Sequence, residues 1–433
     1  METKRAFFLI LSVTLLVGCT PVASLPTSTP ISRQTSTPII TATLPPTESP
    51  TKVASTNTPE VIQVSCPNVE NELPTNDING KIVLNGAYLV YDKSMGHYVL
   101  NPGSAFLWDI KNDKKTELLH EQDEELLGFS VSPDHKWLVY DGRKDSRRDR
   151  VIVTDSNGKV IRNIDGYNWF FPLGWLDNQN LAIWMLSDVT DGPPFPTLVY
   201  NPFTRDNKLI MPDYPDIYWW HIPNWASTLT VYDPSANFVV YITQAGNGNG
   251  NGSVVLWDIN AKREIVKLKN LAVINNNNAP LWSPDGHEFL IDAKLENHSS
   301  FELYAINLQG VIQQLTHFEN LTNQQIVANL TLWDYSWSGD GRYIAFWYRL
   351  EDEKAAQLVL LDTLNNNIKD LCIKSFWHFT PVWSPDNDHL LVDGFINDNE
   401  TTKYQVLLVD ISENYVVEIA EDVLPEGWLV DEP

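Results

Sequence analysis

The chain has 433 residues, 43% of them apolar and 11% aromatic, enough to bury a sizeable core. Its formal net charge is −25. A chain this acidic argues against nucleic acid or anionic lipid as the partner of its folded part.

The chain opens on Lys4 and Arg5, followed by an apolar run from Ala6 to Val17. That run is too short to span a bilayer as a mature helix and has the layout of an export signal. Leu16-Val17-Gly18-Cys19 resembles the bacterial lipobox. The resemblance implies that residues 1–19 are a lipoprotein signal peptide and that Cys19 carries the lipid. The alternative is an ordinary signal peptide or an uncleaved anchor. Residues 20–60 hold 11 Thr, 6 Ser and 8 Pro. Such a composition cannot bury enough apolar surface to fold, so residues 20–65 are expected to be a disordered tether. As a flexible coil its ends would lie roughly 35 Å apart, and as polyproline II it would reach on the order of 130 Å. Cys66 and Cys372 are the other two cysteines. In an exported chain they either pair, stapling the N-terminal edge of the folded part, or stay free and buried.

From about residue 82 onward the chain repeats itself. The clearest copy is Leu281-Trp282-Ser283-Pro284-Asp285-Gly286, a tight turn leading into Phe289-Leu290-Ile291. Proline presets the φ angle of such a turn, aspartate caps its own backbone and glycine takes the φ > 0 position. Related copies are Ser132-Pro133-Asp134, Trp337-Ser338-Gly339-Asp340-Gly341 and Trp383-Ser384-Pro385-Asp386. Weaker ones are Trp175-Leu176-Asp177 and Tyr232-Asp233-Pro234. The residue in the tryptophan slot falls at 131, 175, 232, 282, 337 and 383, and Trp428 makes a seventh. A second marker is an apolar run closing on Asp or Asn: Asp109, Asp155, Asn201, Asp258, Asn307, Asp362 and Asp410. From each of the first six slots to the following marker the distance is 24 to 27 residues. Each unit reads as four short strands rich in Val, Ile, Tyr, Trp and Phe, bounded by Gly, Asn, Asp and Pro.

Four-stranded units with a period near 50 are propeller blades. Asp109 has no slot before it and Trp428 no marker after it. The C-terminal strand is therefore expected to complete the first blade and close the ring. The fold class is all-β, a seven-bladed propeller over residues 66–433. The turn followed by an apolar strand resembles the TolB-type propeller repeat, over about residues 82–430. That resemblance implies an extracytoplasmic scaffold docking proteins or ligands on one face. The units at Asp177 and Asp233 depart from the repeat, lacking its full turn.

Catalytic motifs are mostly absent from the chain. There is no His-Glu-x-x-His, no Gly-x-Ser-x-Gly and no phosphate-cradling glycine loop. The nine histidines show no metal-ligand spacing, so neither a metal nor a cofactor is expected. The turn aspartates Asp134, Asp285, Asp340 and Asp386 read as structural caps. The basic run Arg143 to Arg150 is interleaved with acids and reads as a solvated hairpin tip.

What exceeds the needs of the fold is aromatic. The connections from the last strand of one blade to the first of the next include Tyr167-Asn168-Trp169-Phe170-Phe171, Tyr218-Trp219-Trp220-His221 with Trp225, and Phe376-Trp377-His378-Phe379. Trp333 adds a fourth candidate. Together, Trp169, Phe171, Trp219, Trp220, His221, Trp225, Trp333, Trp377 and His378 form an expected aromatic collar at the channel mouth. Flat apolar rings with polar handles suit sugar rings or protein hot spots. The competing reading packs these rings between neighbouring blades. The expected function is a lipid-anchored, membrane-held binding scaffold for a protein or glycan. The alternative is an enzyme acting on carbohydrate or peptide, with residues converging from several blades.

Overall fold

The computed structural model describes residues 62–73, 78–86, 88–92, 97–101, 103–118, 125–144, 147–165, 170–185, 197–210, 230–244, 251–272, 280–294, 300–320, 331–349, 353–376, 379–396 and 405–430. Nearly everything described is strand. The one helical turn among these residues is a 3-10 turn at Phe318–Asn320.

Seven sheets form seven blades, each with strands a to d in antiparallel order. Blade 1 takes strand a, Leu424–Leu429, from the C-terminus. Its b, c and d are Lys81–Asn85, Ala105–Asp109 and Lys114–Glu117. Blade 2 spans Glu125–Val131 to Val160–Asp165, and blade 3 spans Phe170–Trp175 to Asn207–Ile210. Blade 4 runs from Thr230–Tyr232 to Arg263–Ala272, and blade 5 from Leu281–Trp282 to Ile312–Gln314. Blade 6 runs from Thr331–Trp337 to Asn367–Ser375, and blade 7 from Val382–Trp383 to Tyr415–Glu421. A separate hairpin, Tyr88–Asp92 with His97–Asn101, is inserted between strands b and c of blade 1.

Ring closure shows in the core. Among the described residues the buried apolar side chains form seven clusters, one at each interface between neighbouring blades. The cluster between blades 7 and 1 joins Leu391, Val406 and Leu408 to Ile82, Leu84 and Trp428. The cluster between blades 1 and 2 joins Val83, Leu107 and Leu429 to Leu126, Leu138 and Tyr140. The shared blade thus closes the ring, leaving as sheet edges only the short inner and outer strands of the blades.

Three of the slot tryptophans reach between blades. The indole Nε1 of Trp175 donates to Ser130 O at 3.2 Å, that of Trp282 to Val231 O at 3.2 Å and that of Trp383 to Ser336 O at 3.4 Å. In each case the acceptor lies one residue before the slot of the preceding blade. The turns that follow explain the Ser and Asp of the repeat. Asp134, Asp285, Asp340 and Asp386 each accept the hydroxyl of the serine two residues before, at 2.5–2.7 Å. The serine Oγ accepts the amide that opens strand b, at 2.9–3.2 Å in blades 5, 6 and 7. The weak copies keep this geometry with other atoms. Asp233 stands in the serine position and accepts from Phe238 N at 2.6 Å, while Asp177 accepts from Gln179 N and Asn180 N at 2.7 Å.

One feature departs from the four-strand pattern. Residues read as tether or domain start add a fifth strand to two blades. Ile62–Val64 pairs in parallel with strand d of blade 6, and Asn68–Glu70 with strand d of blade 7. Between them Cys66 is joined to Cys372 by a disulfide, with Cα atoms 5.0 Å apart.

Candidate functional site

Strand alternation sets the geometry of the site. Strands a and c run one way and b and d the other, so the strand ends that bound the d-to-a and b-to-c connections face one side of the ring. The Ser-Pro-Asp turns lie on the opposite side. The strands flanking the three aromatic segments therefore meet the first side: Asp165 and Phe170, Ile210 and Thr230, and Phe376 and Phe379.

The last of these connections is clamped at both ends. Asp393 closes strand b of blade 7 and is buried. Its Oδ1 accepts from Phe379 N at 2.8 Å and its Oδ2 from the Ser375 hydroxyl in a short hydrogen bond. The carbonyl of Phe379 accepts from Nε1 of the buried Trp347, at 2.8 Å. The Phe376 ring stacks on Phe395 at 4.9 Å. Asp393 has relatives. The corresponding fifth position of strand b holds Asn85 in blade 1, Asp141 in blade 2 and Asp292 in blade 5, all buried. A signal for them exists in the sequence. An Asp recurs seven residues after the turn Asp, from 134 to 141, 285 to 292 and 386 to 393.

Asn85 leads to a carboxyl on an inner strand. Its Nδ2 donates to Glu426 Oε1 at 3.1 Å. Glu426 sits on strand a of blade 1 where the pairing with strand b shifts register, between Val83 and Leu84. Such bulges re-aim a side chain. Burial pushes the Glu426 carboxyl up to about 7, opposed by the hydrogen bond from Asn85. A raised folded pKa means that the neutral form is favoured by folding. Its stabilising contribution is complete below the unfolded value of about 4.5 and fades as pH rises through about 7. Glu426→Gln is therefore expected to flatten the loss of stability of the ring between about pH 5 and pH 8. Urea midpoints across that range, wild type against variant, measure this; parallel curves would refute it.

On the turn side, an open cavity of about 320 Å³ lies between the turns of blades 5 and 6. Trp337, Asp285, Glu288 and Asp340 line it. Burial, and then the charge of Asp285, raise the Glu288 carboxyl above its ordinary range. The buried ring of His389 lies between two carboxylates, Nδ1 3.4 Å from Asp386 and Nε2 3.3 Å from Asp410. This His–carboxylate pairing is on the turn side, not among the aromatic connections. Among the described residues no group of three or more His, Cys, Asp or Glu is placed to hold a metal ion.

Of the collar residues, Trp169, Trp219, Trp220, His221, Trp225, Trp377 and His378 lie outside the described residues, as does Cys19. Phe171 and Trp333 lie within strands a of blades 3 and 6, where their backbones pair with Trp184 and Trp347. They are strand residues rather than loop residues.

No family model and no curated protein matches the chain. Several solved structures resemble it. TolB from Acinetobacter baumannii is 12% identical, with 79% of this chain and 81% of that one covered and a TM-score of 0.42. An oligogalacturonate lyase from Vibrio parahaemolyticus is 11% identical, covering 79% and 86%, with a TM-score of 0.47. An oligogalacturonate lyase in complex with manganese is 12% identical, covering 79% and 85%, with a TM-score of 0.46. At such identities and TM-scores these likenesses decide nothing about function. The seven-blade architecture rests on strand order and register.

Proposed function

We propose that the chain is an exported, lipid-anchored propeller that binds a glycan or a protein on the side of the ring where the aromatic connections emerge. The observation that supports this most is the clamp around Phe379. Asp393 and Trp347 fix the residue beside Trp377 and His378 from both its N–H and its C=O. Binding groups gain when a rigid scaffold positions the segment that carries them. Tryptophan in such a segment supplies a broad apolar face with one polar handle. The charge of −25 favours neutral or cationic partners over anionic ones. Lipid at Cys19 and the Ser/Thr/Pro-rich segment after it would hold the ring off a membrane surface.

The test is a titration of the full chain, in detergent, with neutral saccharides and cell-wall polymers, read by tryptophan fluorescence. The expected result is saturable quenching that falls about tenfold or more in apparent affinity in Trp219→Ala or Trp377→Ala. Quenching unchanged in both variants would move the site elsewhere. A second reading is favoured by Glu426, since a carboxyl titrating near 7 on an inner strand suits a general acid. That reading requires Glu426→Gln to abolish turnover of a bound saccharide while leaving its binding intact.

A further inference from the structure

The strap formed by Ile62–Val64 and Asn68–Glu70 is not needed to close the ring. Blades 1 to 5 manage with four strands, and closure belongs to strand a of blade 1. The strap lies across the outer edges of two neighbouring blades. Ile62 pairs with Ile368 and Val64 with Asp370, then Asn68 with Tyr415 and Glu70 with Val417. Its noncovalent hold is thin. Each segment is three residues long, and Val64 and Val69 are 72% and 54% exposed. Ser65 N donates to Asp370 O and Asn68 N to Asn414 O, both at 2.9 Å. Among the strap's described residues Ile62 packs against a core cluster and Pro67 is buried.

The covalent hold is elaborately placed. Cys372 lies in a register shift of strand d of blade 6, where Val359 pairs with Asp370 and Gln357 with Lys374. Its φ is +57°, left-handed and uncommon for a residue other than glycine. Asp370 Oδ1 accepts from Cys372 N at 2.7 Å and holds that conformation. The bulge turns the cysteine toward the edge that carries the strap. Cys66 is exposed and Cys372 half-buried, so the bond is open to an attacking thiolate.

We infer that the Cys66–Cys372 disulfide is a redox latch on the strap, opened by a dithiol reductant such as a thioredoxin-type protein. One donor thiolate attacks Sγ of Cys66, and Cys372 leaves as a thiolate that takes up a proton. The second donor thiol then attacks the mixed disulfide and releases Cys66 as a thiol. The donor ends as a disulfide, two electrons poorer. With the latch open the short parallel strands detach. Residues 62–70 then add about 30 Å of reach to the segment before the ring. The outer edges of Asn367–Ser375 and Tyr415–Glu421 are left with unpaired backbone groups.

Hydrogen exchange of the full chain, oxidised and after reduction by a dithiol, tests this. Alkylation and mass confirm that both thiols are free. The expected result is exchange about tenfold faster or more across 62–70, with faster exchange along 367–375 and 415–421. Glu288–Ala293 and Trp137–Lys144 should not change. The double variant Cys66→Ser/Cys372→Ser should show the reduced pattern without reductant. Two results would overturn the inference. One is unchanged exchange across 62–70 in the fully reduced chain. The other is faster exchange in all blades together, which would make the bond a clamp on the whole ring.

Discussion

Replacing Trp428 with alanine is expected to remove about 3–5 kcal/mol from the stability of the ring. That is a large share of the roughly 5–15 kcal/mol that holds a folded domain together. Trp428 is fully buried at the seam where Leu424–Leu429 joins Lys81–Asn85 in blade 1. Its indole Nε1 donates to Asn79 O at 2.9 Å, and its carbonyl accepts from the His135 ring at 2.8 Å. Its side chain fills the cluster between blades 7 and 1, beside Leu391, Val406 and Leu408. The next residue, Leu429, fills the cluster between blades 1 and 2. Space around this strand is tight. A Cβ on Gly427 would come within 2.4 Å of Val131 Cγ2. Truncating the tryptophan therefore leaves a cavity with little freedom to collapse. Urea unfolding measures the effect, and a loss below about 1 kcal/mol would mean that this strand does not seal the ring.

Glu302→Leu is expected to lose about 3 kcal/mol or more, although it exchanges a carboxylate for an apolar side chain of similar size. Glu302 is buried and accepts four hydrogen bonds. Ser300 Oγ and Thr316 Oγ1 donate at 2.6 Å, Phe318 N at 3.0 Å and Glu319 N at 2.9 Å. Leucine would leave these donors without their acceptor, three of them buried. The damage should spread, because the donors place the 3-10 turn at Phe318–Asn320. The Phe318 ring packs against Phe346 and Tyr348 of blade 6, at 6.4 and 6.2 Å. The measurement is again a denaturant midpoint, compared with Glu302→Gln, which keeps one acceptor and should lose less. A loss in Glu302→Leu no greater than in Glu302→Gln would contradict this account of the carboxylate.

The repeat was legible because several blades use the same few atoms. A slot indole reaches the preceding blade and a Ser-x-Asp turn caps itself, and both depend on residue type at fixed spacing. Seven slots and seven markers, offset by one, suffice to place the C-terminal strand in the first blade. The strap was not legible. Ile62-Gln63-Val64 and Asn68-Val69-Glu70 are too short to show alternation, and their partners lie some 300 residues away. The buried carboxylates Asp393 and Glu302 were also missed. The Asp recurring seven residues after the turn Asp marks the position of Asp393, but only the donors brought in by the fold make Asp393 or Glu302 a cap. The aromatic segments were legible as composition, and most of their residues lie outside the described residues. Glu426 gave no signal of its own, because its position depends on a bulge where Leu424–Leu429 pairs with Lys81–Asn85.

Partners are expected to engage the side of the ring bearing the aromatic connections and not the side bearing the Ser-Pro-Asp turns. Site-specific photo-crosslinking of the full chain in its native envelope tests this. One photo-crosslinker replaces Thr380, exposed beside the clamped Phe379. The other replaces Leu364, 78% exposed in the c-to-d turn of blade 6, on the same side of the ring as the Ser-Pro-Asp turns. The expected result is a discrete crosslinked species, protein or glycan, from position 380 and none from position 364. The reverse pattern would contradict it and place the binding surface on the turn side.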